Sequence, residues 1–210
     1  MAKVLVQTHV MAMDVDALNR VGVATTNVEN GTALVCSGQS ANAGQKHVFS
    51  VAPASAVAKD LWMAYSPEVN SIVSGTNEYR GLDVDPRNFV NLANRPFDMF
   101  KPVAGVDLIQ VTKDFFAEGY DPDTVTGATY VEIQSNGTFK AVVSPTSEFA
   151  GLQFKIFAKQ PIIIANGSIA GEGVDAWILE CTIFVGIEII VVCSGQIHNQ
   201  ATKIVHKDRL

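Results

Sequence analysis

Apolar and polar residues alternate with a period of two along much of this 210-residue chain, the spacing of a strand with one buried face. The clearest case is Tyr130-Val131-Glu132-Ile133-Gln134, then Asn136-Gly137, then Thr138-Phe139-Lys140-Ala141-Val142. Asn-Gly supplies the positive φ that a two-residue hairpin turn needs, so this segment predicts a hairpin with one buried and one wet face. The same alternation marks Val106–Thr112 and Leu152–Phe157, and Pro161–Ala165 and Ala176–Glu180 read as further strands. Asn30-Gly31 and Asn166-Gly167 also lie between strand-like runs and predict turns of the same kind. Helical spacing is confined to Met11–Val21 and Ala54–Trp62, each long enough for one short helix. The expected fold is mainly β, a sandwich or barrel of short antiparallel strands with little helix. Strands alternating with long helices are absent, which excludes a doubly wound α/β fold.

Between Tyr65 and Phe100 the alternation fails. Ser66-Pro67-Glu68, Ser74-Gly75-Thr76-Asn77, Asp85-Pro86-Arg87-Asn88 and Arg95-Pro96 break regular structure, while Tyr79, Phe89, Phe97, Met99 and Phe100 ask for burial. Residues 65–100 therefore predict a long irregular loop that packs on its own body or on a partner. Residues 1–20 read as an N-terminal arm, 21–182 as the β domain and 183–210 as an apolar strand with a tail. The run Ile183–Val192 is nearly all apolar. It fits a central strand covered on both faces, or an edge strand swapped onto a neighbouring subunit. Val35-Cys36-Ser37-Gly38-Gln39 is echoed by Val192-Cys193-Ser194-Gly195-Gln196, with no longer repeat around either.

Charge changes the picture in one respect. Only 17% of residues are charged, and 15 Lys and Arg against 21 Asp and Glu leave a formal net charge of −6. Affinity for nucleic acid comes largely from neutralised phosphates, so nucleic acid is not expected as a partner. The nearest basic cluster is Lys203, His206, Lys207 and Arg209 at the C-terminus, which reads as a solvated tail. Low charge and an abundance of Ser, Thr, Asn and Gly suit a protein that works in contact with other proteins. The N-terminus carries no signal-peptide pattern, and the apolar run from Ile183 to Cys193 is too short for a bilayer and holds Glu188. A chain folded in a cytoplasm, without membrane contact, is expected.

Candidate chemistry is sparse. No phosphate loop, dinucleotide turn or nucleophile elbow occurs, and His9, His47, His198 and His206 stand apart from one another. Cys36, Cys181 and Cys193 lack metal-ligand spacing and read as reduced thiols, with a Cys36–Cys193 bridge left open. The pairs Asp14/Asp16, Asp83/Asp85 and Asp121/Asp123 lack the glycine and distal glutamate of a calcium loop. Asp121-Pro122-Asp123-Thr124 reads as a turn capped by its own carboxylate. Trp62 and Trp177 sit in apolar surroundings and read as core. The three Asn-x-Ser/Thr sequons coincide with the Asn-Gly turns and are explained by them. No catalytic residue, metal ligand or cofactor is assigned.

The segment from Val48-Phe49-Ser50 to Phe100-Lys101-Pro102 carries a resemblance. Trp62-Met63-Ala64-Tyr65-Ser66-Pro67-Glu68-Val69, then Tyr79-Arg80-Gly81-Leu82-Asp83-Val84-Asp85-Pro86-Arg87-Asn88-Phe89, then Arg95-Pro96-Phe97 resemble the capsid auxiliary, or decoration, proteins of tailed bacteriophages. The likeness covers roughly residues 30–180. It implies a β domain bound to the outside of an icosahedral shell, where each copy cements neighbouring subunits of the major capsid protein. It also implies a homo-oligomer located on the virion and assembled in the host cytoplasm. Tyr79, Arg80, Asp83, Asp85, Arg87 and Phe89 are the candidate partner contacts, against the alternative that Arg80 or Arg87 pairs with a nearby Asp to hold the loop. A tail or host-attachment module binding a carbohydrate or receptor is the alternative function, and a hydrolase with a dispersed site is the third.

Overall fold

The computed structural model of the chain describes residues 3–41, 48–54, 60–68, 71–74, 77–80, 85–134, 137–145, 151–164 and 172–184, with 71–74, 77–80, 151–152, 172 and 183–184 described as backbone only. Leu5–His9 forms β1, followed by two single 3-10 turns at Met11–Met13 and Asp16–Leu18. Asn19–Val23 (β2), Ala33–Gln39 (β3), Val48–Pro53 (β4) and Leu61–Ala64 (β5) come next. A short ribbon follows, Ser71–Ser74 (β6) and Asn77–Arg80 (β7), then Phe97–Phe100 (β8) and Leu108–Thr112 (β9). The second half contains Tyr130–Ile133 (β10), Phe139–Val142 (β11), Gly151–Lys159 (β12), Ile162–Ile164 (β13), Glu172–Val174 (β14) and Ala176–Phe184 (β15). The fold is mainly β, as the alternation predicts.

These strands build two bodies that share a wall. Five of them close a small barrel in the order β2-β4-β3-β5-β8, and six make a sheet in the order β1-β9-β15-β12-β10-β11. One barrel pairing, β2 with β4, is parallel, which departs from the all-antiparallel expectation. The barrel interior is filled by Ala24, Val28, Leu34, Val51, Trp62, Ala64, Phe97 and Met99. Because side chains alternate along a strand, the other face of the same wall sends out Ala33, Leu61, Met63 and Phe100. These pack in a second core with Leu5, Ile109, Val111, Val131, Ile133, Phe139, Phe154, Trp177 and Leu179 of the sheet. An aromatic ladder runs through this second core, with ring centroids 5.4 Å apart for Phe115–Phe139 and 5.3 Å for Phe139–Phe154. Phe116 meets Trp177 edge-on at 5.5 Å. Each such ring contributes roughly 1.5–3 kcal/mol by leaving water.

Several expectations change. The segment Met11–Val21 gives two 3-10 turns and the start of β2 rather than a helix. Pairing of Asn19–Gly22 with Phe97–Phe100 satisfies the backbone that a helix would have satisfied internally. In Ala54–Trp62 the last two residues belong to β5, and residues 55–59 lie outside the described residues. The loop 65–100 carries the β6–β7 ribbon and ends in β8. The first 20 residues supply a paired strand, β1 against β9, with Leu5 buried. Asp107, fully buried, fixes this segment by accepting the backbone N–H groups of Met11 (2.8 Å) and Val103 (2.7 Å).

The hairpin at 130–142 forms as predicted, with Tyr130 opposite Val142 and Ile133 opposite Phe139. Its turn is longer than two residues: Gln134 N–H donates to the Thr138 carbonyl, and Gly137, at φ 76°, donates to the Gln134 carbonyl. The second face of this hairpin is not fully wet, since Glu132 is buried beside Val131 and Ile133. Asn30-Gly31 makes no hairpin, because β2 and β3 are not neighbours. It forms a buried corner instead. The Asn30 side chain accepts Ser66 N–H (3.0 Å) and donates to the Ser66 carbonyl (2.9 Å), as a strand backbone would. Asn166-Gly167 and residues 185–210, including Cys193, lie outside the described residues, whereas Ile183 and Phe184 complete β15, a central strand of the sheet.

Gly31 gives the test of this corner. It holds φ 78°, and a Cβ there would meet the Phe115 ring at 2.2 Å. Gly105 has nearly the same φ, 76°, with open space around it. Gly31→Ala should cost on the order of 3 kcal/mol and Gly105→Ala only about 1, since the first adds a steric clash to the same backbone strain. Urea unfolding of the two variants measures the difference; equal costs would show that Phe115 does not hold this corner.

Candidate functional site

The predicted contact residues divide into two groups. Tyr79 and Arg80 end β7, opposite Ile72 and Ser71 on the two-stranded ribbon; their side chains lie outside the described residues, as does all of Asp83. Asp85, Arg87 and Phe89 sit on and around a 3-10 turn at Pro86–Asn88. Proline at its first position and Asp85 as its cap explain why the turn forms here. Asp85 Oδ1 accepts the Arg87 backbone N–H at 2.9 Å. The same carboxylate accepts Arg87 Nε at 3.0 and 3.1 Å and Nη2 at 2.8 Å, a two-pronged pair. These hydrogen bonds hold the Asp85 carboxyl below the usual carboxylate range. Of the two readings of Arg87, the geometry displays the intraloop pair. Phe89 is half-buried at the end of the turn.

The other sequence candidates are largely absorbed by structure. Asp121 Oδ1 accepts the N–H groups of Asp123 (3.1 Å) and Thr124 (3.2 Å), and Oδ2 accepts the Thr124 hydroxyl at 2.8 Å. Burial opposes its ionisation, but Thr124 and Lys113 outweigh that and keep its carboxyl below the usual range. Asp123 pairs with Lys159 at 2.6 Å. Asp14 and Asp16 are exposed, and among the described residues no three His, Cys, Asp or Glu side chains cluster as metal ligands. His9 is exposed on β1; His47, His198 and His206 lie outside the described residues. Trp62 and Trp177 are both interior. Cys181 is buried in the sheet core, where desolvation pushes its thiol far up.

Two features escape the sequence reading. The first is an exposed apolar segment. Val10 and Ala12 are buried while Met11, Met13 and Val15 face solvent, Met13 at 65% exposure. The segment borders β1, an edge strand of the six-stranded sheet. Depressions of about 500 and 400 Å³ flank Met13, the second shared with His9, Met11 and Val106. The apolar letters were visible, but their outward direction was not, because a helix would have placed them differently.

The second is the cluster at the end of the barrel where β2, β4 and β5 start. Arg20 of β2 places its guanidinium carbon 4.5 Å from the Phe49 ring and 4.4 Å from the Trp62 ring. Lys101, just after β8, lies 5.8 Å from the Trp62 ring and pairs with Asp60 at 2.5 Å. The Lys101 hydrogen bond holds the Asp60 carboxyl below its ordinary value. Cys36 of β3 is half-buried here; burial pushes its thiol up, against a hydrogen bond from Arg20. A thiol held protonated in this way is a poor nucleophile. These residues come from four strands and two strand ends, so no local motif announces them.

The Asp85–Arg87 turn yields a stability test. Asp85→Ala removes the cap and should cost about 1 kcal/mol. A carboxyl depressed in the folded state stabilises above its unfolded pKa and loses that contribution as pH falls through the folded value. The gap between wild type and Asp85→Asn in denaturant midpoints should therefore be full at pH 7 and close in acid. A gap that persists in acid would show that the carboxylate's charge does not hold the turn. No protein-family model matches the chain, and neither a curated protein nor a solved structure matches it.

Proposed function

We propose that this chain is a non-catalytic virion protein that binds the outer surface of a phage capsid and cements neighbouring subunits of the major capsid protein. The observation that carries the reading is the outward-facing segment Met11–Val15 beside the edge strand β1. Methionine is flexible and polarizable, so it adapts to a groove built from more than one subunit. The edge strand beside it offers backbone groups for strand addition. Support comes also from the low charge of the chain and from the resemblance carried by residues 48–102. Tyr79 and Arg80 on the ribbon and Asp85, Arg87 and Phe89 on and around the 3-10 turn extend the contact surface, together with Asp83 as read from the sequence, and the Asp85–Arg87 pair keeps that turn in shape. Many copies on one shell, self-associated into homo-oligomers, make modest affinity per contact sufficient. A carbohydrate-binding tail module draws less support, since both tryptophans have their rings in the interior and offer no stacking platform.

Quantitative mass spectrometry of purified particles, scaled to the major shell protein, tests the assignment. Copies on the order of hundreds per particle are expected for a protein that decorates repeated sites. A handful of copies would move it to the tail or portal, and absence would overturn the structural reading. Met13→Asp should lower shell occupancy about tenfold or more while leaving the melting temperature unchanged, as expected for an exposed anchor at an interface. Full occupancy by this variant would remove the segment from the contact.

A further inference from the structure

We propose that the depression between β1 and β13 receives a lysine side chain of a protein partner, with Glu68 as the counter-ion of its ammonium. The β13–β14 ribbon continues the β12–β15 pair: Gln160 N–H donates to the Ala176 carbonyl, and Ile162 lies opposite Val174. Ala176 faces Thr112, whose N–H donates to the Val4 carbonyl, so the ribbon leaves the sheet beside the start of β1. The depression so formed measures about 340 Å³, and all nine residues lining it are among the described residues. Val4–Val6 and Ile162–Ile164 give it aliphatic walls, and Pro86 of the 3-10 turn adds to them. Only Tyr65 and Glu68, just after β5, bring polar side-chain groups into it.

Two observations point to a cation as the occupant. First, Glu68 is half-buried, and among the described residues no Lys or Arg pairs with it. Lys3, next to Val4, turns to Glu29, and Arg87 of the turn is forked onto Asp85. The side chain that does reach Glu68 is Asn30, whose Nδ2 stands 3.5 Å from Oε1, at the outer limit of a hydrogen bond. Burial pushes the Glu68 carboxyl above its ordinary value, and this weak contact opposes the shift only in part. A carboxylate in an apolar recess gains most from a counter-ion that brings its own apolar body. Second, the Tyr65 hydroxyl is pushed up by burial and then by the Glu68 charge, so the two groups lie near each other in one recess. An ammonium has three donors and can serve both oxygens at once.

The lining selects lysine. Its flexible four-carbon stem lies against valine and isoleucine while its compact charge reaches the carboxylate. Arginine prefers a planar two-oxygen approach or an aromatic face. The one aromatic ring of the lining, Tyr65, already meets Phe100 edge to face at 6.3 Å. The rim selects a protein as the source. Ile163 is 77% exposed and Val6 36%, so a partner surface that lies over the depression covers both as the lysine enters. The assignment rests on the proposed docking of the β1 face to a protein, and it names the side chain which that partner presents.

Isoleucine methyl resonances of the full-length, isotope-labelled protein report on the site, and Ile162→Val and Ile164→Val assign the two that matter. The probe is an end-blocked Leu-Lys-Leu peptide, which should move both resonances saturably. Its norleucine counterpart keeps the stem and lacks the ammonium, and should bind at least about tenfold more weakly. Glu68→Gln should weaken the lysine peptide by a similar factor without lowering the melting temperature. Should that variant fail to fold, the norleucine comparison on the wild-type protein decides. The lysine peptide should also bind at least about tenfold more tightly than n-butylamine, because its leucines cover the rim. The proposal is overturned if the lysine peptide moves neither resonance, if norleucine or Glu68→Gln leaves affinity unchanged, if an arginine peptide binds more tightly, or if n-butylamine binds as well. These titrations need no capsid, so their failure and a low copy number in particles are separate outcomes.

Discussion

The structure depends on a wall of strands that is buried on both faces. Leu61, Trp62, Met63 and Ala64 of β5 are all interior, and alternation sends Trp62 and Ala64 into the barrel and Leu61 and Met63 into the sheet core. β3 does the same with Leu34 inward and Ala33 outward. A strand with two apolar faces cannot stand at a surface, so the barrel and the sheet each need the other to keep this wall dry. The barrel is thereby tied to the sheet through a common core.

Burying so much strand backbone creates an obligation to pair the irregular backbone around it. The chain meets it with side chains that imitate peptide groups. Asn30 accepts from and donates to Ser66 and accepts Asn91 Nδ2 at 3.1 Å, joining the corner before β3 to the loop between β5 and β8. Asn91 in turn donates to the Val28 carbonyl at 3.0 Å. Asp107 does the equivalent for the N-terminal segment. Met11 is held to the body by its backbone, so its side chain and that of Met13 are free to point outward.

Legibility in the sequence followed how local each cause was. The 130–142 hairpin was readable because alternation and the positive-φ glycine both lie within thirteen residues. The strands around 109, 154 and 178 were readable for the same reason. Asn19–Val23 was not, since its strand state comes from pairing with residues some eighty positions away and with β4, in parallel. Asn30-Gly31 announced a glycine at positive φ, but the ring of Phe115 that explains it is distant in sequence. The Asp85–Arg87 pair was legible as an alternative because its partners are two residues apart. Arg20, Trp62 and Lys101 were not, because only barrel closure brings them together.

The weakly charged chain sets several of its cations against aromatic rings. Besides Arg20 and Lys101, Lys140 sits 4.5 Å from the Tyr120 ring, Lys159 5.4 Å from Trp177 and Lys3 5.8 Å from Phe115. Each places an aliphatic stem at the rim of a core and its charge near water or a carboxylate. Cations held one by one over aromatic rings do not add up to a positive surface field, and the net charge of −6 opposes one. A phosphate-tracking surface is therefore no part of the proposed function. At Lys3, Lys101 and Lys159 a carboxylate answers the ammonium, from Glu29, Asp60 and Asp123 respectively. Arg20 is held differently, stacked on the rings of Phe49 and Trp62 with the Asp60 carboxylate nearby and Lys101 paired to it.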